Sequence, residues 1–195
     1  MFSGLELGVR PGRVMIPRAA TEGLVAAAVD RLGDGPARVV DVGTGSGAIA
    51  VAIADAAPQA EVWATDTSLA AVSLAHANAR RHGLADRVTV CHADLLEGVP
   101  GALDLVVANL PYVPEARASF FPDLASEPPT AVFADGDGLH PYRRLIAACA
   151  TRLRREGSLV VQFHRQVLAA ERSELPELQA ALEERAWEET ARLAA

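Results

Sequence analysis

Short apolar runs alternate with helical patterns along most of this 195-residue chain, and that alternation limits the folds it can adopt. Strand-like runs lie at 39–42, 62–65, 88–92, 103–108 and 158–163. Helical patterns lie at 20–32, from about 46 to 57, at 68–82 and at 142–154. Strands that are separated by helices pair in parallel, with helices covering both faces of the sheet. The sequence therefore predicts an α/β fold with a doubly wound, mostly parallel sheet.

A glycine-rich turn follows the first run, where residues 39–47 read Val-Val-Asp-Val-Gly-Thr-Gly-Ser-Gly. Glycines allow a tight turn and a close approach of backbone to ligand. The next helix is predicted to begin near Ser46, whose hydroxyl would cap it. The spacing Gly-X-Gly-X-Gly is shorter than that of dinucleotide sites, so it suits a ligand without pyrophosphate, such as the methionine part of S-adenosylmethionine (SAM). Asp41 is predicted to help hold the amino group of that ligand. The alternative is a merely tight strand-to-helix turn.

Acidic residues end the next two runs. Asp66 lies roughly twenty residues after the glycines, where an acid binds ribose hydroxyls in folds of this kind. Its alternative role is an N-cap for the helix from Ser68, and the two roles can coexist. Asp94 closes the run 88–92. Because ligands of open α/β sheets lie outside the carboxyl ends of the strands, both acids are predicted to face one site.

The tetrapeptide Asn109-Leu110-Pro111-Tyr112 follows the run 103–108. Amide and exocyclic amine nitrogens are poor nucleophiles because their lone pairs are delocalised. Two acceptors, the Asn109 side-chain oxygen and the Leu110 carbonyl, could hold both hydrogens of an NH₂ group. Pro111 keeps the Leu110 carbonyl aimed, and Tyr112 offers an aromatic face. The element predicts a pocket for a planar, nitrogen-bearing methyl acceptor. The alternative is a strand end followed by an ordinary Pro turn.

With these motifs the chain resembles the release-factor glutamine methyltransferases, which modify the glutamine of the Gly-Gly-Gln loop in peptide chain release factors. The resemblance spans about residues 8–168 and rests on segments 11–22, 41–47, 109–114, 127–128, 137–139 and 142–145. It implies the seven-stranded, Rossmann-like sheet of class I SAM-dependent methyltransferases, SAM as the cofactor, and a protein substrate that is a release factor.

The resemblance also implies roles for individual residues. The SAM-binding set is Asp41, Gly43, Thr44, Gly45, Ser46, Gly47, Asp66, Asp94, Leu95 and Asn109. Asn109 would face both the methyl group and the substrate amide, and Leu110, Pro111 and Tyr112 would line the acceptor pocket.

The chain also departs from the family pattern. The family usually has Pro at the position of Leu110, and Asn-Leu-Pro-Tyr is similar to the motif of ribosomal-RNA adenine dimethyltransferases. Gln162-Phe163-His164 stands where the family tends to show Glu-Ile-Gly. No N-terminal helical domain is expected before residue 8.

The connection 111–138 is predicted to be a lid or substrate-binding segment, because long ordered loops at this edge of a sheet are usually functional. Its return turn is predicted at 135–138, which reads Asp-Gly-Asp-Gly. The whole chain is predicted to be one SAM-dependent methyltransferase domain, with an N-terminal segment and helix (1–36), a core (37–168) and a helical C-terminal segment (169–195). Either that segment leaves the sheet shortened at its edge, or weak strands lie within 187–193. A shortened sheet would expose an edge that a second copy could cover in a homodimer.

Composition narrows the class of protein. No apolar stretch reaches the roughly 20 residues that span a bilayer, and the N-terminus does not read as a signal peptide, so we expect a cytoplasmic protein. The net charge of −7 argues against a large nucleic-acid footprint, and Arg152, Arg154 and Arg155 are predicted to complement the end of a helix. Cys91 and Cys149 have no metal-ligand spacing and are predicted to be reduced.

Three functions remain open on the sequence. The leading hypothesis is SAM-dependent N-methylation of a protein glutamine. The first alternative keeps the chemistry but changes the acceptor to adenine N6 in nucleic acid or to a small molecule. The second is a SAM-binding module without catalytic activity.

Overall fold

The computed structural model describes residues 1–162. The strands are β1 (Ala37–Val42), β2 (Ala60–Asp66), β3 (Val88–His92), β4 (Leu103–Ala108), β5 (Val113–Pro114), β6 (Phe133–Ala134) and β7 (Leu153–Val161). The α-helices are α1 (Glu22–Val29), α2 (Ala48–Ala56), α3 (Leu69–Arg81), α4 (Pro129–Val132) and α5 (His140–Cys149). Short 3₁₀ helices cover Ala19–Thr21, Glu115–Phe120 and Pro122–Leu124. The predictions made for residues from Phe163 onward, including the segment 169–195, lie outside the described residues.

Five strands form one parallel sheet in the order β3-β2-β1-β4-β7. β1 lies between β2 and β4, with Val39 opposite Val62 on one side and Leu105 on the other. The order therefore reverses between β1 and β4, and open α/β sheets bind ligands in the crevice at such a point. The prediction of a doubly wound, mostly parallel sheet is confirmed. β5 and β6 form a separate two-stranded parallel sheet.

Helices cover both faces of this sheet, so the central strands have no polar side. Val39 packs into a core with α1, α2 and α3, whereas Val40 and Val42 pack on the opposite face with α5. This is why the strand sequences read as continuous apolar runs. Within residues 1–162, no helix is long and apolar enough to cross a membrane.

The first two helices begin and end elsewhere than predicted. α2 begins at Ala48 because Gly47 adopts φ +79°, a left-handed conformation that a residue inside a helix does not take. The expected cap at Ser46 is therefore wrong. The pattern 20–32 begins with the 3₁₀ helix Ala19–Thr21, and α1 follows it. α1 ends at Val29, and beyond it Leu32 N–H bonds the Val29 carbonyl in a turn three residues long.

The last predicted helix was too long, because the chain leaves α5 at Cys149 and enters β7 at Leu153. Leu153 pairs with Leu103 of β4, which extends the sheet five residues earlier than its apolar run indicates. The arginines of this segment therefore do not complement a helix end. Arg154 pairs with Asp104, and Arg152 donates to the carbonyls of residues 96, 99 and 101.

Candidate cofactor and acceptor site

A cleft of about 290 Å³ opens at the carboxyl edge of the sheet, a size typical of small-molecule sites. The predicted site residues that line it are Gly43, Gly45, Asp66, Asp94, Leu95, Asn109, Leu110 and Pro111. They come from the ends of β1 to β4, which the sequence places far apart. The remaining predicted residues, Asp41, Thr44, Ser46, Gly47 and Tyr112, do not line the cleft, so their contact with ligand stays a prediction.

The glycine turn joins the two halves of the site. Gly43 has φ +71°, and a Cβ atom there would lie 2.7 Å from the Leu110 Cδ2 atom. A side chain at this position would therefore strain the backbone and force the Leu110 side chain of the acceptor element, residues 109–112, to shift. On the other side of the turn, a Cβ atom at Gly47 would lie 2.9 Å from the Ala75 Cα atom of α3. The turn is thus packed between the acceptor element and α3.

Asp66 braces the turn while it lines the cleft. Its Oδ2 accepts a hydrogen bond from Gly45 N–H at 2.9 Å, and its Oδ1 accepts one from Ser68 N–H at 2.8 Å. The N-cap of α3 is Ser68, whose hydroxyl accepts from Ala71 N–H, so the alternative role of Asp66 as the cap belongs to its neighbour. Each Asp66 oxygen keeps a second lone pair, which is what binding a ribose hydroxyl requires.

Asp41 lies behind the turn and is fully buried. Its Oδ2 accepts from the Thr44 hydroxyl at 2.6 Å and from Ala50 N–H at 3.1 Å, which ties β1 to the start of α2. Burial raises the pKa of Asp41 to about 7, although these two bonds act in the opposite direction. Its Oδ1 is buried without a hydrogen-bond partner among residues 1–162.

Asp94 and Leu95 form the wall at the end of β3. Asp94 Oδ2 accepts from Arg144 Nη2 at 2.6 Å, and this hydrogen bond raises the pKa of Arg144. Leu95 takes a left-handed conformation with φ +50°, held by a 2.7 Å bond from the Thr65 hydroxyl to its carbonyl. A non-glycine residue in this conformation is strained, and such strain concentrates at functional sites.

Asn109, the first residue of the acceptor element, lines the cleft. Asn109 Nδ2 donates to the Thr21 hydroxyl over 3.4 Å, which leaves Oδ1 without a donor among the described residues. Leu110 is held at both its N–H and its carbonyl by the Tyr142 hydroxyl, at 3.0 and 3.1 Å. Tyr112, the last residue of this element, is half-buried, and burial raises its pKa.

Residues 10–18 form an N-terminal strap along the cleft, a position that the sequence analysis did not predict. Arg13, Val14 and Met15 line the cleft on one side, opposite Pro128, Thr130 and Ala131 of the connection 111–138. Glu127 joins these two walls, because its Oε2 accepts from Ile16 N–H at 3.2 Å and its Oε1 lies 3.6 Å from Arg18. The segments 11–22 and 127–128 belong to the motifs of the resemblance, but nothing in the sequence says that they touch.

The residues present fit SAM. A glycine-rich turn, an amide at Gly45 held by a carboxylate, and acidic groups at Asp66 and Asp94 suit a ligand with hydroxyls, an exocyclic amine and a positive charge. Asp41 does not line the cleft, but behind the turn it has a buried carboxylate oxygen that no described group satisfies. A buried polar atom without a partner is costly, and a bound ammonium group is one way to satisfy it.

Comparisons with known proteins place the chain among methyltransferases. The family model of the methyltransferase small domain matches residues 20–121, which is more than half of the chain. A release factor glutamine methyltransferase of Moorella thermoacetica is 44% identical over 165 residues, covering 83% of this chain and 58% of that protein. A ribosomal protein uL3 glutamine methyltransferase of Neisseria meningitidis is 36% identical over 140 residues, covering 70% of this chain and 46% of that protein.

Among solved structures, the ribosomal protein L11 methylase of Lactobacillus delbrueckii subsp. bulgaricus matches with a TM-score of 0.60 and 24% identity. The match covers 89% of this chain and 72% of that one. This likeness shows the fold, and it confirms the prediction of a class I methyltransferase sheet. Residues 1–162 supply five strands of that sheet, so the count of seven stays a prediction. The chain spans little more than half the length of these curated release factor relatives.

Proposed function

Because this chain belongs to the methyltransferase small-domain family, we propose that it transfers a methyl group from SAM to the side-chain amide nitrogen of a protein glutamine. SAM is the cofactor, and when bound it supplies a methyl group that is already activated as a sulfonium. The residues of the chain then have to bind, orient and shield the acceptor. We further propose that this acceptor is the glutamine of a peptide chain release factor.

The observation that carries the proposal is the orientation of Asn109. Thr21 takes its NH₂ group, so Oδ1 is left to accept a hydrogen from the acceptor. The Leu110 carbonyl follows directly in the chain and is a second acceptor. A primary amide has two N–H hydrogens, and two fixed acceptors hold it in one orientation. Holding both hydrogens disfavours the planar amide ground state and frees the nitrogen lone pair for the methyl group.

Relatives support the class of substrate. Two groups of curated relatives, the release factor enzymes and the ribosomal protein uL3 enzymes, are both named for methylating glutamine. The release factor enzymes match at 37–44% identity and the uL3 enzymes at 36%, which favours the release factor as the substrate.

The charge of the cleft supports a protein acceptor over nucleic acid. Arg13 and Arg144 are the cations that line the cleft in the described part of the chain, and Arg144 is paired with Asp94. A nucleic-acid groove needs several unpaired cations along the phosphate backbone. The adenine alternative therefore has less support than the glutamine reading. A cytoplasmic location and a homodimer stay predictions.

The proposal is tested by labelled-methyl transfer to a purified release factor. The matched control is the same factor with the Gly-Gly-Gln glutamine replaced by glutamate, which keeps the shape but removes the amide nitrogen. We expect incorporation into the first protein and none into the second. Transfer to ribosomal protein uL3 or to RNA, with no transfer to the release factor, would overturn the substrate assignment.

Two variants separate the acceptor site from the cofactor site. Asn109→Ala should lower kcat about 100-fold, as loss of an oriented polar group in an active site does, while SAM affinity stays within about threefold. Asp66→Ala should instead weaken SAM binding about tenfold, because bonds to a charged partner are lost. Calorimetric titration measures the affinities. Equal loss of SAM binding in both variants would show that Asn109 is not an acceptor residue.

A further inference from the structure

Tyr142 is a buried side chain whose hydroxyl touches the acceptor element, and the reaction proposed above gives it no role. It lies on α5 and is 1% exposed. The Leu110 N–H donates to its oxygen at 3.0 Å. The Leu110 and Gln162 carbonyls lie 3.1 and 3.0 Å from the same oxygen. The hydroxyl therefore links α5, the element after β4 and the end of β7.

The position of this hydroxyl explains why it is needed. β4 and β7 pair until Gln162 N–H donates to the Ala108 carbonyl at 3.2 Å. The Leu110 N–H does not continue the ladder, because it donates to the Tyr142 hydroxyl and not to a carbonyl of β7. The Tyr142 hydroxyl takes the place of the missing rung, since it accepts from Leu110 and can donate to Gln162. Without it, polar backbone groups at this edge would be buried without partners.

The hydroxyl has one proton and two carbonyl acceptors within reach. In the absence of an acceptor molecule, either carbonyl can take that proton. When a substrate N–H occupies the Leu110 carbonyl, the hydroxyl proton can remain on the Gln162 carbonyl. The arrangement therefore receives the substrate without losing a buried hydrogen bond.

We propose that Tyr142 is a positioning residue of methyl transfer, whose hydroxyl holds the Leu110 peptide so that its carbonyl stays aimed at the acceptor amide. The inference deepens the proposed function and rests on it for the identity of the acceptor. Burial raises the pKa of Tyr142 well above its ordinary value, so the hydroxyl stays protonated and acts through hydrogen bonds.

The first test does not depend on activity. Tyr142→Phe removes only the hydroxyl, and amide hydrogen exchange is compared at Leu110 and at Val107, which lies inside the β4 ladder. We expect exchange at Leu110 to accelerate about tenfold or more, with the Val107 rate changed by less than threefold. The control is Cys149→Ala, which opens a cavity in the same core and on the same helix but removes neither of the hydrogen bonds between Tyr142 and Leu110. It should leave the Leu110 amide protected.

The second test separates positioning from mere stability. In transfer to the release factor, Tyr142→Phe should lower kcat about tenfold while KM changes less than threefold, because the lost contact acts on the reacting geometry. Affinity for S-adenosylhomocysteine should stay within twofold. Cys149→Ala should keep the wild-type kcat despite a lower unfolding midpoint.

Three outcomes would overturn the inference: unchanged exchange at Leu110, unchanged kcat in Tyr142→Phe, or an equal fall of kcat in Cys149→Ala. If the wild-type chain methylates no glutamine substrate, the proposed function fails. The exchange data then decide alone whether Tyr142 holds the Leu110 peptide.

Discussion

Thr21 is the residue through which the segment before the sheet reaches the acceptor element. It is buried, and its hydroxyl accepts from Asn109 Nδ2. The last torsion of an asparagine is broad and roughly two-fold, so without this hydroxyl the carboxamide can turn over and present its NH₂ group to the acceptor. A donor facing the hydrogens of an amide would repel the substrate.

We expect Thr21→Val to lower kcat/KM about five- to tenfold, the effect of losing one hydrogen bond of roughly 1 kcal/mol, with SAM affinity unchanged. Valine keeps the shape of threonine but has no hydroxyl. Thr21→Ser keeps the hydroxyl and should retain most of the activity. Steady-state kinetics on a release factor measures both variants. Equal losses in the two would mean that the methyl group of Thr21 matters and that its hydroxyl does not.

The role of Thr21 illustrates what sequence patterns leave out at this scale. The positions of Gly43, Asp66 and Asn109 at the cleft could be predicted, because each stands at the end of an apolar run where the topology of the sheet fixes its place. The partner of Asn109 lies 88 residues away in a segment without periodicity, so no local rule connects the two. Tyr142 and Glu127 were out of reach for the same reason.

At the scale of elements, the N-terminal strap and the connection 111–138 act as two walls of one cleft. Val14 anchors the strap, because it is buried against Ala71 and Leu74 of α3. Glu127 then joins the strap to the opposite wall with a side chain that is only 5% exposed. A ligand that enters between these walls has to loosen this link or pass beside it. The link should therefore set how fast the cofactor leaves.

Two substitutions at Glu127 separate its hydrogen bond from its charge. Glu127→Gln keeps an acceptor for Ile16 N–H but loses the ion pair with Arg18, which is 42% exposed and is expected to contribute less than about 1 kcal/mol. Glu127→Ala also removes the hydrogen bond from the Ile16 amide, which contributes roughly 1 kcal/mol.

We therefore expect S-adenosylhomocysteine to dissociate about tenfold faster from Glu127→Ala and less than threefold faster from Glu127→Gln. Stopped-flow displacement of the bound ligand by excess SAM measures both rates. Similar rates in the two variants would mean that the ion pair controls the link, and wild-type rates in both would mean that the strap does not gate the cleft.

Some element boundaries could be predicted from the neighbouring sequence, and others depend on strand pairing. The bounds of β3 and β4 were predicted to the residue, because each run is bounded by polar or glycine-containing segments. The boundary between α5 and β7 was wrong because Leu153 fits a helical pattern as well as a strand. Its pairing with Leu103 decides between them, and pairing partners are not visible in a single sequence.

At the scale of the whole molecule, Asp41 links the site to the stability of the fold. It lies in the central strand β1, fully buried, where a charged carboxylate is costly. Its carboxylate nevertheless holds the Thr44 hydroxyl and the Ala50 amide at the start of α2. The Asp41 carboxyl therefore binds its proton more tightly in the folded protein than it would in water.

The raised pKa of Asp41 makes the folded state less stable as the pH rises. The pKa of Asp41 is raised from 3.8 in the unfolded chain to about 7 in the folded one, so the folded state binds more protons between these values. Its contribution to stability is complete below about pH 4 and is lost as the pH rises to about 7. The shift corresponds to a loss on the order of a few kcal/mol across this window.

Asp41→Asn should remove this dependence, because an amide does not titrate. Its oxygen can still accept from Thr44 and Ala50, and its NH₂ group takes the place of the Oδ1 atom that has no described partner. Urea unfolding of both chains between pH 4 and pH 8 measures the difference in free energy of unfolding. Other carboxylates titrate in both chains and cancel in that difference.

We expect similar stabilities near pH 4 and an advantage for Asp41→Asn that grows until about pH 7 and then stays constant. Parallel curves would mean that Asp41 is charged throughout the range, and the buried carboxylate would then need a partner other than a proton.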